Sequence, residues 1–235
     1  MEKSYIRLHN IDCMDFMASV PDKSYQLSVV DPPYFSGPNK LGYYGDHTVC
    51  SRTGVFRTGY KRVGKWDPPD QRYFDELRRV SVNQIIWGIN YYDFTGVGPG
   101  RIVWDKVNDS STFSDCEIAF CSLIKGVKIF RFMWNGMMQG KSALEGHITQ
   151  GNKKLNEKRI HPTQKPVALY KWILQNYAKP GDKILETHGG SGTIAIACYD
   201  MGLDLDLCEL DPQYFAAGKA RVERHMAQER LFIRT

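Results

Sequence analysis

Apolar and polar positions along the chain follow two periods. Tyr25-Gln26-Leu27-Ser28-Val29-Val30 is a nearly continuous apolar run, the mark of a strand buried on both faces. It stops at Pro32-Pro33, where a central ladder cannot continue. Residues 71–80 place Phe74, Leu77 and Val80 at helical spacing, and 83–87 then predicts a strand. Three further strands are expected over 101–104, 117–123 and 127–133, the last two forming a hairpin around Lys125-Gly126. Residues 137–160 are polar and rich in glycine and lysine, which predicts an irregular, mobile insert. The pattern then becomes clean. A helix over 165–178 (Val167, Leu169, Tyr170, Ile173, Leu174, Tyr177) ends at Lys179-Pro180-Gly181. A short strand at 183–186, an apolar helix at 193–201, a strand at 204–210 and a helix at 211–228 follow, with Pro212 in the first turn of the last. Such alternation predicts an α/β fold with a mostly parallel central sheet and helices on both faces.

The chain has 235 residues, the size of one domain. We read 1–235 as a single unit with a loop at 35–66 and a small insert at about 106–160. Hydrophobic residues make up 42% and charged residues 24%, which excludes a disordered or collagen-like chain. No apolar run is long enough for a membrane helix, and the charged start, Glu2-Lys3, argues against a secretory signal. The six cysteines form no CxxC pair and no metal spacing. Cys116, Cys198 and Cys208 lie in apolar runs, so buried free thiols in a reducing cytoplasm are expected.

Candidate chemistry begins at Glu186-Thr187-His188-Gly189-Gly190-Ser191-Gly192-Thr193, where a strand meets a helix through a glycine-rich turn. Glycines let the backbone approach a ligand, and the free amides at the helix start supply donors. The next strand ends in Glu209-Leu210-Asp211, with Glu209 19 residues beyond Gly190, a spacing that suits a carboxylate on ribose hydroxyls. The glycines do not fit G-x-G-x-x-G, which disfavours a dinucleotide. S-adenosylmethionine has a ribose and no phosphate, and its cationic groups favour carboxylates such as Glu186.

Asp31-Pro32-Pro33-Tyr34 carries a second chemistry. An exocyclic amine on an aromatic base is a poor nucleophile because its lone pair is delocalised. The Asp31 carboxylate and the Pro32 carbonyl, both accepting from that amine, would favour a more tetrahedral nitrogen. Prolines stiffen the backbone that presents the carbonyl. The Tyr34 ring can stack on a base taken out of its helix.

With these residues the chain resembles the amino-group DNA methyltransferases, which methylate adenine N6 or cytosine N4. Asp31, Pro32, Pro33 and Tyr34 look like their catalytic motif, with Asp31 expected to meet the cofactor as well, and residues 186–193 resemble their cofactor loop. His161-Pro162-Thr163-Gln164-Lys165-Pro166 is similar to the motif that touches the methionine end of the cofactor. Asp12 and Cys13 look like the stretch that meets its adenine, and Glu209, Leu210 and Asp211 match the ribose-acid region. The catalytic motif precedes the cofactor loop, as in the β group, a circular permutation of the Rossmann-like methyltransferase fold. Trp87-Gly88-Ile89-Asn90-Tyr91-Tyr92 and Trp104-Asp105-Lys106 look like short phage-encoded orphan methylases. The resemblance implies S-adenosylmethionine as cofactor, S-adenosylhomocysteine as product, no metal, and double-stranded DNA as partner. A homodimer is compatible with it, and no membrane partner is implied.

The family loop usually reads Asp-Pro-Phe, where this chain has Glu186-Thr187-His188. His188 is read as a flat packing surface, or as a source of pH dependence through an imidazole of ordinary pKa near 6.5. The net charge is +5, and the 35–66 loop alone carries six basic residues against one acid. Lys40, Arg52, Arg57, Lys61, Arg62 and Lys65 lie there among aromatics including Phe35, a mixture suited to phosphates and unstacked bases. Its glycine density argues against a regular element. The expected activity is DNA adenine-N6 methylation with base flipping. Rivals are cytosine-N4 methylation, methylation of RNA or a protein amide, and a catalytically silent DNA-binding module.

Overall fold

The computed structural model describes residues 4–34, 48–50, 56–58, 67–93, 95–109, 114–135, 138–161 and 163–228. In the first half of the chain the strands are β1 (Ile6–His9), β2 (Tyr25–Val30), β3 (Thr48–Cys50), β4 (Phe56–Thr58), β5 (Ser81–Trp87) and β6 (Arg101–Asp105). The second half adds β7 (Cys116–Cys121), β8 (Val127–Arg131), β9 (Trp134–Asn135), β10 (Met138–Gln139), β11 (Lys183–Glu186) and β12 (Asp204–Cys208). The helices are α1 (Cys13–Ala18), α2 (Gln71–Val80), α3 (Val167–Tyr177), α4 (Thr193–Met201) and α5 (Pro212–Met226).

Eight strands form one sheet in the order β1-β12-β11-β2-β5-β7-β6-β8. The first five are mutually parallel, and β7 runs against both β5 and β6. Strand β2 pairs directly with β11, Leu27 opposite Ile184 and Ser28 opposite Leu185, although the two lie far apart in the chain. The strand exit carrying Asp31 and the one leading to the glycine turn are thereby neighbours at the carboxyl ends of the central strands. That is where ligands of open α/β sheets bind.

Alternation along the strands feeds two cores. Leu27, Val29, Ile85, Trp87 and Ile184 pack with Leu169 and Ile173 of α3 and Ile194 of α4. Val30, Ile86 and Leu185 pack with Met17 of α1 and Phe74 and Leu77 of α2. Helix α2 begins where Asp70 accepts the amides of Arg72 and Tyr73, and α5 begins where Asp211 accepts those of Gln213 and Tyr214.

The structure corrects four expectations. Strands β7 and β8 do not pair as a hairpin, because β6 lies between them. The turn that joins them crosses the start of β6 at Gly100, where a Cβ would collide with the Cys121 and Ile124 carbonyl oxygens. The 137–160 insert is held in place: β9 and β10 pair, and the Gln139 side chain bonds to both the amide and the carbonyl of Glu157. The 35–66 loop contains a regular element, the antiparallel pair β3–β4. Cys116 is half-buried rather than buried, whereas Cys121, Cys198 and Cys208 are buried, and all are free thiols. Helix α1 had no clear sequence signal; it starts at Asp12, whose carboxylate accepts from the amide of Met14.

Candidate active site

Asp31 leaves the end of β2 into a cluster of four charges, of which Lys165 is buried and the other three are half-buried. Lys165, from the segment before α3, places its ammonium on Asp31 Oδ2 and 3.0 Å from Glu117 Oε2. The other oxygen of Glu117 lies 2.6 Å from Lys106 Nζ. Tyr34 donates its hydroxyl to Asp31 Oδ1 at 2.5 Å and accepts from Lys165 at 3.1 Å. Two cations and two anions balance in a pocket where the Lys165 side chain is 3% exposed.

Burial opposes every charge here, and the neighbours decide which charges survive. Burial works against the Lys165 ammonium, but Asp31 and Glu117 outweigh it and hold its pKa above the ordinary value. Burial also works against Glu117, yet Lys165 and Lys106 hold it down at about 2. Asp31 is the more proton-prone carboxylate: burial and Glu117 push it up, and Lys165 opposes them.

The backbone acceptor is fixed as well. Tyr92 donates its hydroxyl to the Pro32 carbonyl at 2.7 Å, with the Pro33 carbonyl at 3.2 Å. The Tyr34 ring stacks on Tyr91 at 5.2 Å between centroids and lies over Gly88, where a Cβ would collide with the ring. Gly88 has φ +70°, so this position excludes a side chain twice over.

Beside this cluster, Glu186 ends β11 at 1% exposure, accepting the His188 amide at 3.0 Å and also the amide of Asp31. Burial pushes its carboxyl up to about 8; the Asp31 charge adds to this, and the His188 amide works against it. Thr187 bonds to the Tyr73 hydroxyl at 2.6 Å and to His188 Nδ1 at 2.9 Å. Burial lowers the His188 pKa to about 4, so the ring is neutral at neutral pH, and it meets Tyr73 edge-on. That favours the packing-surface reading over a pH switch near neutrality.

Glu209, at the end of β12, accepts the Gly190 amide at 2.7 Å on one oxygen and the Asp211 amide at 2.8 Å on the other. The Leu210 amide is a further donor to it, and a carboxylate with about four acceptor positions still has capacity for one more. His161 lies edge-on to Tyr214 and holds Thr163 at 3.0 Å; burial lowers its pKa to about 4. Arg221 reaches from α5 to the Ser191 carbonyl and the Thr193 hydroxyl, both at 3.0 Å, and pairs with Glu157 at 3.1 Å.

Asp31, Glu186 with its glycine turn, and Glu209 stand at the carboxyl ends of β2, β11 and β12, and three of the other sequence expectations are met differently. Gln164 spends its side chain on the Ile160 amide, and Pro166 starts α3. Asp211 caps α5, and Leu210 is 65% exposed. Lys165 sits on Asp31 instead of standing apart with the methionine-end motif. Phe35, Lys40, Arg52, Lys61, Arg62 and Lys65 lie outside the described residues, and of Arg57 only the backbone, paired with Val49, is described. Sequence reasoning gave no site role to Glu117, Tyr73, Tyr91 and Tyr92, which are ordinary strand, helix and turn residues until the fold brings them to the site. Among the described residues no helix is long and apolar enough to cross a membrane.

A sheet of this order, with a carboxylate–carbonyl acceptor pair beside a glycine turn, defines an amino-group methylase architecture. The model of the DNA methylase family, covering N6 and N4 methylases, matches residues 103–220, and the chain belongs to this family. It is 23% identical over 241 residues to the Type II methyltransferase M.HinfI of Haemophilus influenzae, covering 90% of this chain and 66% of that protein. It is 24% identical over 243 residues to M1.MboII of Moraxella bovis, covering 88% of this chain and 93% of the relative.

Solved structures share the fold. The M1.HpyAVI–SAM complex superposes with a TM-score of 0.52 at 17% identity, covering 92% of this chain and all of that one. TTHA0409 from Thermus thermophilus, complexed with S-adenosyl-L-methionine, gives 0.55 at 16% identity, covering 96% of each chain. The cytosine-N4-specific PvuII DNA methyltransferase gives 0.52 at 13% identity, covering 95% of this chain and 91% of its own.

Proposed function

We propose that the protein transfers a methyl group from S-adenosylmethionine to N6 of adenine in double-stranded DNA, leaving S-adenosylhomocysteine. One observation carries this reading: the Asp31 carboxylate and the Pro32 carbonyl are held next to the glycine turn by the direct pairing of β2 with β11. The residues present suit the cofactor. Glu209 keeps acceptor capacity at the mouth of the glycine turn, and Glu186 is a buried carboxylate suited to a cationic ligand. Asp12, Cys13, His161 and Thr163 complete the rim in this reading. When bound, S-adenosylmethionine supplies an activated methyl group.

The chain's own residues do the rest. Asp31 and Pro32 accept from the amine of the extruded base and turn its lone pair toward the methyl group. Tyr34 offers a ring for the base. As the nitrogen bonds the methyl group it gains positive charge, which the Asp31 carboxylate opposes before a proton leaves. The basic, aromatic loop at 35–66 holds the phosphates and the base during extrusion, on DNA in the cytoplasm. If Arg52, Arg57, Lys61 and Arg62 each meet one phosphate, neutralising all four lowers the slope of log K against log salt by about 3.6.

Cytosine-N4 methylation is the second reading, since a cytosine-N4-specific enzyme shares the fold. Asp31 favours adenine: in the resembled group adenine methylases usually carry aspartate here, and cytosine-N4 enzymes more often serine. Expression in a methylation-free host, followed by sequencing with modified-base detection, identifies base and site together. Unmodified DNA alongside intact DNA binding would instead establish a silent DNA-binding module. Sedimentation of the purified protein tests the homodimer that the resemblance allows.

A further inference from the structure

We propose that Lys165 is a positioning residue for the amine-accepting carboxylate Asp31, and that Glu117 with Lys106 balances its charge. This rests on the methyltransferase reading and deepens it. An ammonium has three hydrogens. Those of Lys165 face Asp31 Oδ2, Glu117 Oε2 at 3.0 Å and the Tyr34 hydroxyl at 3.1 Å. No donor is left for a ligand carboxylate unless one of these bonds is surrendered. Lys165 thus belongs to the reacting centre, although its segment resembles one that touches the cofactor.

The arrangement solves a definite problem. Asp31 and Glu117 share one pocket, with side chains 17% and 21% exposed, so a single unpaired carboxylate there would take up a proton. A protonated Asp31 would present a hydroxyl to the amine and could no longer accept from it on that oxygen. Lys165 holds Oδ2, and Oδ1 accepts from the Tyr34 hydroxyl and keeps a lone pair for the amine. Lys106 takes the second oxygen of Glu117 at 2.6 Å, so Glu117 does not draw Lys165 away. Among the described residues, the charged and titratable groups facing Asp31 are Lys165, Glu117, Tyr34, Tyr92, Tyr170 and Glu186, and Lys165 is the cation among these.

The test compares Lys165→Met, Glu117→Gln and the double variant with the wild type. Single-turnover methylation of plasmid DNA from a methylation-free host is measured across pH, with calorimetric binding of S-adenosylhomocysteine. Lys165→Met is expected to lose about a hundredfold in rate, with its acid limb moved to higher pH and cofactor affinity within about threefold of wild type. Adding Glu117→Gln should restore at least about tenfold, because the repelling carboxylate leaves with the cation. Glu117→Gln alone should move the acid limb to lower pH, which keeps the proposal testable if Lys165→Met does not fold. A Lys165→Met enzyme that binds cofactor tenfold more weakly yet turns over normally at saturation would overturn it. So would an unshifted pH profile with no rescue. Carboxyl ¹³C NMR, with Asp31 identified by its loss in Asp31→Asn, reads the same midpoints without turnover. An inactive wild type whose Asp31 midpoint still rises in Lys165→Met would remove the function reading alone.

Discussion

Tyr92 and Pro32 are joined by a hydrogen bond of 2.7 Å from the phenol to the carbonyl oxygen. Together with the Tyr34 hydroxyl on Asp31, it places a phenol on each of the two acceptors proposed for the amine. In that reading Tyr92 caps the Pro32 carbonyl, and an incoming amine competes with it there. Tyr92→Phe should leave the Pro32 carbonyl short of a donor and lower stability by about 1–3 kcal/mol. The same change should lower KM for DNA, because the amine then restores the missing bond. A fall in kcat at unchanged KM would mean that Tyr92 aims the carbonyl instead of capping it.

Gly88 supports the Tyr34 ring that is proposed to stack on the base. Its φ of +70° disfavours any side chain, and a Cβ would press into the Tyr34 ring. Gly88→Ala should cost about 1–2 kcal/mol from the left-handed backbone alone. Displacement of Tyr34 should also weaken binding of DNA carrying 2-aminopurine at the methylated position, with cofactor binding unchanged. Equal loss of both affinities would indicate a general collapse.

Glu209, proposed to meet the ribose, also builds the loop. Its carboxylate accepts the Gly190 and Asp211 amides at 2.7 and 2.8 Å. Glu209→Gln turns one acceptor into a donor facing an amide, so the loop should loosen. Cofactor affinity should fall by at least the value of one charge-assisted bond, about 1.5–3 kcal/mol. Calorimetry with S-adenosylhomocysteine and a melting curve together check it, since loss of affinity without loss of stability would assign Glu209 to the ligand alone.

Glu186 predicts a pH dependence with a definite sign. Its carboxyl is raised from 4.5 to about 8, so between those values the folded protein holds a proton that the unfolded chain has released. Its contribution to stability is full below the unfolded value and is lost as pH rises through the folded one. Urea midpoints of the wild type should therefore fall relative to Glu186→Gln across that window and level off above it. A cationic ligand favours the ionised form, so binding of S-adenosylmethionine near neutral pH should release a proton. Calorimetry in buffers of different ionisation enthalpy measures that release, which Glu186→Gln should abolish.

Local patterns were legible where a single segment holds the signal. The Asp31-Pro32-Pro33-Tyr34 exit, the 186–193 turn and Glu209 all stand at strand ends, and their positions follow from strand prediction plus a parallel sheet. The Lys165–Asp31–Glu117–Lys106 cluster was not legible, because it depends on β6 and β7 pairing in a register that sets Trp104 opposite Glu117. The same long-range pairing defeated the hairpin prediction: 122–126 has the composition of a tight turn, and only Gly100 shows that it passes over another strand. Thr187 and Tyr73 pose the same difficulty, since two hydroxyls 114 residues apart carry no sequence signal of their bond.

Asp31 is the residue on which the chemistry turns, and the structure sharpens what its removal should do. Asp31→Ala takes away the amine acceptor and also one partner of a buried ammonium, but Lys165 keeps Glu117 at 3.0 Å. The fold should survive with a loss of about 1–3 kcal/mol, below the cost of stranding a fully unpaired charge. Methyl transfer should fall by at least about a hundredfold, the scale for losing one preorganised polar group at a reacting centre. Asp31→Asn should also fail, because its amide has one oxygen where the carboxylate has two: that oxygen can face Lys165 or the amine, not both. Cofactor affinity should be nearly unchanged in both variants, since Glu209 and the glycine turn are untouched. Single-turnover rates beside nucleoside analysis of the methylated DNA make the measurement. N4-methylcytosine as product would overturn the base assignment, and near-wild-type transfer by Asp31→Ala would overturn the mechanism.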